Sequence, residues 1–286
     1  MKADFLEPAS LDEAATLLAQ HAGSAKIIAG GTALVLMLQQ RLIAPAVLVS
    51  LGRIPGWDFV RPEADGLHVG ALTRLRVAER SRLVRDFCPA LARAFSVVGN
   101  VRVRHQATLG GNLAEADYAS DPPAMLLALD AQVKLFGPSG ERQIPLSEFL
   151  LGFYTTALAP DEILIEVIIP ALPASARAAY LKYTSRSAED RPCVGVAALA
   201  DVDESGRCRQ VRVAVGAAVE TPRRLADAEA MARGEQLTDG VMAAIADAYA
   251  RALDPLSDVR GSAWYRREMI RVFVRRALTE VRDGYR

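Results

Sequence analysis

Two glycine-containing segments hold the residues whose types and spacing are best suited to chemistry. The longer one, TLGGNLAEADYASD, occupies residues 108–121 and places Gly110 beside Gly111. Adjacent glycines let a backbone approach a ligand closely, and successive N–H groups in such a turn can form an anion-binding concavity. Thr and Asn side chains add hydrogen-bonding groups, and a carboxylate suits sugar-type hydroxyls. The segment predicts a cradle for a phosphate-bearing, polyhydroxylated cofactor. The alternative is a tight turn into a helix capped by Ser120 or Asp121.

The shorter segment, KIIAGGTAL, occupies residues 26–34. Residues 27–29 predict a short buried strand and residues 30–32 a glycine turn, with Thr32 placed to cap a helix over residues 33–42. Strand, glycine turn and helix N-terminus together favour anion binding, because free N–H groups and the helix dipole point the same way. The alternative is a helix start with no ligand. Neither G-x-G-x-x-G nor G-K-[ST] follows, which excludes a Rossmann or a P-loop site.

The two segments, in this order and spacing, resemble the paired FAD-binding motifs of the flavin subunit of molybdenum hydroxylases. These are the medium subunits of carbon monoxide dehydrogenase-type and xanthine dehydrogenase-type enzymes, and the resemblance extends along essentially the whole chain. It implies an α+β fold with a two-subdomain FAD-binding platform of the vanillyl-alcohol-oxidase (PCMH) type. A C-terminal domain with a three-stranded sheet and three helices is expected to follow. The implied boundaries are 1–55 and 56–173 for the two FAD-binding subdomains and 174–286 for the C-terminal flavoprotein domain.

The resemblance also implies which residues bind FAD. They are Ile27, Ile28, Ala29, Gly30, Gly31, Thr32, Ala33 and Leu34 of the first motif, Thr108, Gly110, Gly111, Asn112, Ala116, Asp117, Ser120 and Asp121 of the second, and Val98, Ile165 and Lys182. Val98 is expected near the flavin, and Ile165 should contact it by shape. Lys182 should approach from the C-terminal domain, where a cation stabilises reduced flavin; the alternative is a surface lysine on an edge strand. No catalytic side chain and no metal ligand is predicted.

The sequence departs from the family pattern at two positions. Tyr118 stands where many members have proline, so it could pack on the flavin ring, restrict the acceptor, or simply replace a rigid turn residue. Ala33 stands where polar residues often follow the glycine-threonine turn, which removes at most one side-chain contact. Neither departure removes a glycine pair.

The implied function is electron transfer within a heterotrimer. A large molybdopterin subunit would hydroxylate the substrate, and a small subunit with two [2Fe–2S] clusters would pass electrons to FAD in this chain. FAD would deliver them to an external acceptor such as NAD, oxygen, a quinone or another carrier, and a dimer of heterotrimers is the family expectation. Two alternatives stay open: a self-contained oxidoreductase on the vanillyl-alcohol-oxidase-type fold, and a non-catalytic scaffold without cofactor.

Bulk composition bounds the class of protein. The chain has 286 residues, and its 34 Lys+Arg balance its 34 Asp+Glu, so no basic excess indicates nucleic acid as a partner. The sequence contains no long apolar run, and its acidic, helical N-terminus does not resemble a signal peptide. A cytoplasmic location is expected, which could be peripheral to the inner membrane through the complex. Three scattered cysteines and three scattered histidines argue against disulfides and against a metal site.

The remaining chain predicts ordinary elements. Residues 75–85 favour one helix, and residues 101–104 (VRVR) favour a strand whose arginines are solvated or contact a partner or a phosphate. The proline-rich residues 170–176 predict a linker. Strands over 178–184, 193–202 and 209–219 and helices over 223–233, 239–253 and 262–282 are expected after it. On the last helix the polar face is expected to be solvated or to face a subunit; it contains Arg266, Arg267, Arg271, Arg275, Arg276 and Arg282.

Overall fold

A computed structural model describes residues 3–284 of the chain. The strands are β1 (Asp4–Leu6), β2 (Ala25–Ile28), β3 (Val47–Ser50), β4 (Val60–Glu63), β5 (Gly66–Gly70), β6 (Gln132–Gly137), β7 (Gly140–Pro145), β8 (Leu150–Gly152), β9 (Thr155–Thr156), β10 (Ile163–Pro170), β11 (Ala176–Tyr183), β12 (Val194–Val202) and β13 (Cys208–Gly216). The helices are α1 (Leu11–Gln20), α2 (Leu34–Gln39), α3 (Leu75–Arg80), α4 (Arg82–Phe87), α5 (Pro89–Ser96), α6 (Val101–Gln106), α7 (Leu109–Glu115), α8 (Pro122–Ala128), α9 (Leu146–Phe149), α10 (Ala226–Ala230), α11 (Asp239–Ala252) and α12 (Ala263–Asp283).

The first sheet is small and parallel. Its strand order is β1-β3-β2, with α1 and α2 as crossover helices. Ala14 and Leu18 of α1 pack on Val49 of β3, and Ile163 and Ile165 of the later strand β10 join the same core. This core therefore fixes the first sheet against the second.

The second sheet is antiparallel, in the order β4-β5-β10-β6-β7. Helices α3 to α8 connect β5 to β6, and α9 follows β7. Helices α3, α5 and α8 pack through the buried side chains Leu75, Phe95 and Met125. All seven residues of α8 are buried. A helix that is apolar all round must lie between two layers, and α8 does so by contacting β12 and β13 of the third sheet.

The third sheet is the antiparallel meander β11-β12-β13. Helix α12 covers β11 and β12, α11 packs on α12, and α10 lies on β13. The predicted three strands and three helices of the C-terminal part are confirmed, and the predicted linker falls between the end of β10 and the start of β11. Within residues 3–284, no helix is both long enough and apolar enough to cross a membrane.

The strand predicted for residues 101–104 is wrong. These residues belong to α6, because the Asn100 side chain accepts hydrogen bonds from the N–H groups of Arg102 and Val103 and so starts a helix. Arg104 then turns inward and binds the carboxylate of Glu79 and the carbonyl of Val98. Helical periodicity, not the alternation of a strand, decides which of these arginines points inward.

Three other local predictions also differ from the structure. The helix predicted over residues 75–85 is interrupted at Ser81, whose side chain caps α4. Thr32 does not cap α2, which begins at Leu34 without any side-chain cap. Arg266, expected on the solvated face of the last helix, is completely buried.

Candidate functional site

Gly30 brings the two glycine segments together. A Cβ atom added to Gly30 would lie 2.0 Å from the carbonyl oxygen of Gln106, a distance that no side chain tolerates. Gln106 ends α6 and lies two residues before Thr108, where the second segment begins. The first segment is therefore in direct backbone contact with the residues just before the second, although the two are about eighty residues apart in the sequence.

The first segment presents a row of free backbone donors. Within residues 3–284, the N–H groups of residues 29–33 have no hydrogen-bond acceptor. These residues are half-buried, and Gly31 has φ of +70°, a left-handed conformation that turns the row around a concave backbone. Successive free N–H groups of this kind suit a phosphate or pyrophosphate.

The second segment forms α7 and is not an irregular glycine turn. Thr108 caps this helix by accepting from the N–H of Gly111 at 3.1 Å, and the N–H of Gly110 donates to the Ala71 carbonyl at 2.8 Å. Gly110 is needed for packing, because its Cβ would lie 2.5 Å from the Cβ of Ala71. Both N–H groups are thus already bonded, and the anion concavity expected at these two glycines is not formed by them.

Polar side chains lie on α7 and in the turn after it. The Ser120 hydroxyl and the Asn112 amide oxygen are 2.9 Å apart, which fixes both side chains beside the buried start of α8. Asp117 accepts from Arg191 at 2.7 Å. Ala116 has φ of +48°, which turns the chain from α7 towards Asp117. These residues offer hydrogen-bonding groups to a polyhydroxylated ligand along one edge.

Ile165 is tied to the second segment through one residue. Its carbonyl accepts from the N–H of Ala71 at 2.8 Å, and the Ala71 carbonyl in turn accepts from Gly110. Ile165 is 1% exposed in this structure, and its side chain belongs to the core of the first sheet. Its backbone, more than its side chain, connects β10 to the site.

Lys182 of β11 extends to the residues around the second segment. Its Nζ donates to the Val97 carbonyl at 2.8 Å and to Asp121 Oδ2 at 3.0 Å, and the neighbouring Val98 is half-buried. Tyr180 donates to the other oxygen, Asp121 Oδ1, at 2.8 Å. Burial raises the pKa of Asp121 to about 6, against the opposing effects of the Lys182 charge and the Tyr180 hydroxyl.

Tyr118 is bonded to the C-terminal domain. Its hydroxyl donates to Asp258 at 2.9 Å and accepts from Arg260 at 3.0 Å, and its ring packs edge-on against Phe153 and Tyr154. The sequence did not indicate Asp258, Arg260 or Arg191, because each meets the motif only through the tertiary fold. Tyr180 could have been found, since it is two residues before Lys182 on one strand and must face the same side.

One histidine lies in a carboxylate cluster outside this site. His68 binds Asp65 through Nε2 at 2.8 Å and Glu166 through Nδ1 at 2.6 Å. Burial lowers the pKa of His68, but the hydrogen bonds to both carboxylates outweigh it and the pKa is raised. Both ring nitrogens of His68 are already bonded to carboxylates, so we assign no metal to this cluster.

The donor set fits a flavin dinucleotide. Free N–H groups at residues 29–33 suit a pyrophosphate, and Asn112, Asp117 and Ser120 suit hydroxyl groups. The half-buried Val98 follows Val97, whose carbonyl Lys182 binds. With the Asp121–Lys182 pair it suits a ring that is apolar on its faces and polar at one edge.

Comparison with known proteins also indicates an FAD-binding protein. Residues 1–172 match the family described as the FAD binding domain in molybdopterin dehydrogenase, and residues 179–281 match the CO dehydrogenase flavoprotein C-terminal domain. The 6-hydroxypseudooxynicotine dehydrogenase complex subunit alpha of Paenarthrobacter nicotinovorans is 36% identical over 97% of this chain and 93% of its own length. The nicotine 6-hydroxylase medium subunit of the same organism is 34% identical over 96% of this chain and 96% of its own length.

A solved structure agrees over the whole fold. A chain of carbon monoxide dehydrogenase from Hydrogenophaga pseudoflava, in a form that lacks the Mo-pyranopterin moiety of the molybdenum cofactor, superimposes with a TM-score of 0.95 at 33% identity. The match covers 98% of this chain and 97% of the other. Fold and site thus define an FAD-dependent oxidoreductase subunit. The chain belongs to the FAD-binding medium subunits of the molybdenum hydroxylases, the carbon monoxide and xanthine dehydrogenase family.

Proposed function

We propose that this chain is the electron-transfer subunit of a heterotrimeric molybdenum hydroxylase. A small subunit would deliver electrons from its [2Fe–2S] clusters, and a large molybdopterin subunit would oxidise the substrate. FAD supplies the redox chemistry when bound, and the chain binds and orients it before an external acceptor takes the electrons. The names of relatives, which include medium subunits of dehydrogenases and hydroxylases, support this division of labour. A dimer of such heterotrimers is part of the proposal.

The free N–H row at residues 29–33 is the observation that supports the site most strongly. We assign it to the FAD pyrophosphate, with the other residues of 27–34 around it. Asn112, Asp117 and Ser120 would bind the polyhydroxylated chain. Thr108, Gly110, Gly111 and Ala116 shape the backbone beside them. Val98 and Ile165 would border the ring, with Asp121 and Lys182 at its polar edge.

The same proposal includes three functional units. Residues 1–55 contain the first sheet and the N–H row, and residues 56–173 contain the second sheet and the second motif. Residues 174–286 contribute Lys182 from β11. FAD would bind where the three units meet, which explains why no single segment completes the site.

A charge substitution tests this assignment. Ala33→Asp places a carboxylate at the start of α2, where it would use the free N–H groups and repel a pyrophosphate. Like charges in contact cost several kcal/mol, so we expect the Kd for FAD to rise by about a hundredfold or more. Fluorescence titration of the purified chain with FAD measures the change.

Ala174→Asp is the matched control, because Ala174 is exposed between β10 and β11, outside the proposed site. It should bind FAD as the wild type does. If Ala33→Asp binds FAD as tightly as this control, the pyrophosphate does not lie on the N–H row. Reduction of bound FAD by a hydroxylase substrate in the isolated chain would instead support a self-contained oxidoreductase.

A further inference from the structure

A buried cluster joins three elements beside the proposed flavin site. Tyr180 and Lys182 of β11 bind separate oxygens of Asp121, the residue before α8, and Lys182 also binds the Val97 carbonyl that follows α5. The side chains of Lys182 and Asp121 are 7% and 4% exposed. Tyr180 is 3% exposed, so little of the cluster is open to water.

The position of Tyr180 is prepared by its neighbours. Gly195 of β12 pairs with Lys182 of β11, and a Cβ at Gly195 would lie 2.7 Å from the Tyr180 hydroxyl oxygen. The absence of a side chain there leaves room for the Tyr180 hydroxyl to reach across to Asp121. The hydroxyl has no bond to another side chain among residues 3–284. Its contact is therefore specific to Asp121.

The cluster keeps hydrogen-bonding capacity for a ligand. An ammonium group has three donors, and Lys182 uses two of them. Each Asp121 oxygen has a lone pair beyond the one it uses. The pyrimidine edge of a flavin ring alternates carbonyl acceptors with an N–H donor, which is the complement of one ammonium donor beside one carboxylate acceptor.

We propose that Tyr180 is a positioning residue for the flavin: its hydroxyl fixes the Asp121 carboxylate and keeps it ionised, so that the Asp121–Lys182 ion pair has no net charge. The proposal rests on the FAD site assigned above. Tyr180 itself would not touch the ring. It acts through Asp121 and thereby changes the charge next to the ring.

The electrostatic consequence of removing the hydroxyl has a definite sign. Burial raises the pKa of Asp121 to about 6, the charge of Lys182 and the hydrogen bonds from Tyr180 and Lys182 lower it, and Asp117 raises it further. Arg191 partly offsets Asp117, to which it is bonded at 2.7 Å. The pKa of Tyr180 is raised well above its usual value by burial and by Asp121, so its hydroxyl stays a donor near neutral pH.

Without that donor, the pKa of Asp121 should rise and the carboxyl group should be protonated near neutral pH. The Lys182 charge would then be uncompensated. Because a positive charge favours the reduced and more negative form of flavin, the midpoint potential of FAD should become more positive.

The test is Tyr180→Phe in the purified complex with its partner subunits and bound FAD. Spectroelectrochemical titration of the FAD gives its midpoint potential as a function of pH. We expect a more positive potential at neutral pH, and the bend in the pH profile that reports Asp121 should move to higher pH.

Tyr183→Phe is the matched control. Tyr183 lies on the same strand, and its hydroxyl binds the hydroxyl of Tyr265 instead of the site. This variant should show the wild-type potential and pH profile. A Tyr180→Phe profile that matches the control would overturn the proposal.

Asp121→Asn completes a double-mutant cycle with Tyr180→Phe. It also tests the proposal by itself if Tyr180→Phe does not fold. An amide cannot titrate, so the bend should vanish, and Tyr180→Phe should no longer alter the pH profile in that background. A bend that survives in Asp121→Asn contradicts the proposal. If the wild-type complex contains no FAD, the flavin site itself is wrong and this inference falls with it; FAD in the wild type with no effect of Tyr180 overturns the inference alone.

Discussion

Gly30 shows at the scale of one residue how the site depends on close backbone contact. The turn at residues 30–32 is pressed against the last carbonyl of α6 so closely that only a hydrogen fits on its Cα. This contact places the free N–H row next to the second motif. A glycine is therefore required here because a side chain would not fit, and not because of its conformational freedom.

We predict that Gly30→Ala destabilises the chain and weakens FAD binding. Its Cβ would lie 2.0 Å from the Gln106 oxygen, and because backbone is less able to move than a side chain, the turn must shift. A cost of about 1–3 kcal/mol in the free energy of unfolding is expected, as for overpacking. Urea denaturation measures it.

Gly240→Ala provides the comparison. Gly240 lies in α11, and its nearest neighbour for an added Cβ is the Thr238 hydroxyl at 3.8 Å. Alanine is also the better helix former, so this variant should be as stable as the wild type or slightly more stable. Equal stabilities of the two variants would mean that the turn moves without cost.

At the scale of elements, α6 is the support of the site. It is short, and none of its residues is fully buried, so its first turn depends strongly on the Asn100 cap. Its C-terminal end holds Gln106 against Gly30, and Arg104 ties it to Val98 and to Glu79. Movement of α6 would therefore separate the two motifs.

Asn100→Ala should remove this cap. The Asn100 oxygen accepts from the N–H groups of Arg102 and Val103 at 3.0 and 3.1 Å, and loss of such a cap costs about 1 kcal/mol. Thermal unfolding should show a lower Tm. Hydrogen exchange should be faster at residues 101–106.

Asn100→Asp is the conservative counterpart, because its carboxylate can cap the same two N–H groups. It should preserve wild-type protection of α6. If alanine and aspartate give the same exchange rates, the side chain does not stabilise this helix.

At the scale of the whole molecule, buried polar contacts join the C-terminal domain to the platform. Lys182 reaches Val97 and Asp121, and Tyr118 reaches Asp258 and Arg260. Arg266 supports the contact between Tyr118 and Asp258 by binding Asp258. It is 0% exposed and binds Asp258 and the carbonyls of Cys193 and Ala217. Burial would raise the pKa of Asp258, but hydrogen bonds from Arg260, Tyr118 and Arg266 lower it to about 2.

Arg266→Leu should be strongly destabilising. It leaves buried carbonyls without a donor and removes the buried guanidinium that pairs with Asp258. Breaking a buried pair lowers the free energy of unfolding by about 3–5 kcal/mol. Urea denaturation monitored by circular dichroism gives the loss. Because Asp258 also orients Tyr118, the loops that carry these residues should become more susceptible to proteolysis.

The neighbouring Arg267 offers a matched control. Its partner Asp254 has a side chain that is 99% exposed, and such surface pairs contribute about 0–1 kcal/mol. Arg267→Leu should therefore change stability little. A similar loss from both variants would show that the burial of Arg266 has no special importance.

The sequence alone was sufficient for features that depend on local residue types. Both glycine motifs, the linker before β11 and the three-strand, three-helix C-terminal part could be recognised, because apolar periodicity and turn residues act over a few positions. The family resemblance supplied the cofactor and the expected role of Lys182. The same local reasoning failed for α6, since the single cap at Asn100 outweighed an alternation typical of strands.

Only the tertiary structure decided which groups are free and which are occupied. The N–H groups of Gly110 and Gly111 are bonded to Ala71 and Thr108, whereas those of residues 29–33 have no acceptor in the part of the chain that the structure describes. Tyr180 meets Asp121 across a separation of 59 residues. Helical periodicity could not show that Arg266 is buried against the carbonyls just before β12 and just after β13. Burial and hydrogen-bond partners depend on the packing of distant segments, and a pattern of neighbouring residues does not contain that information.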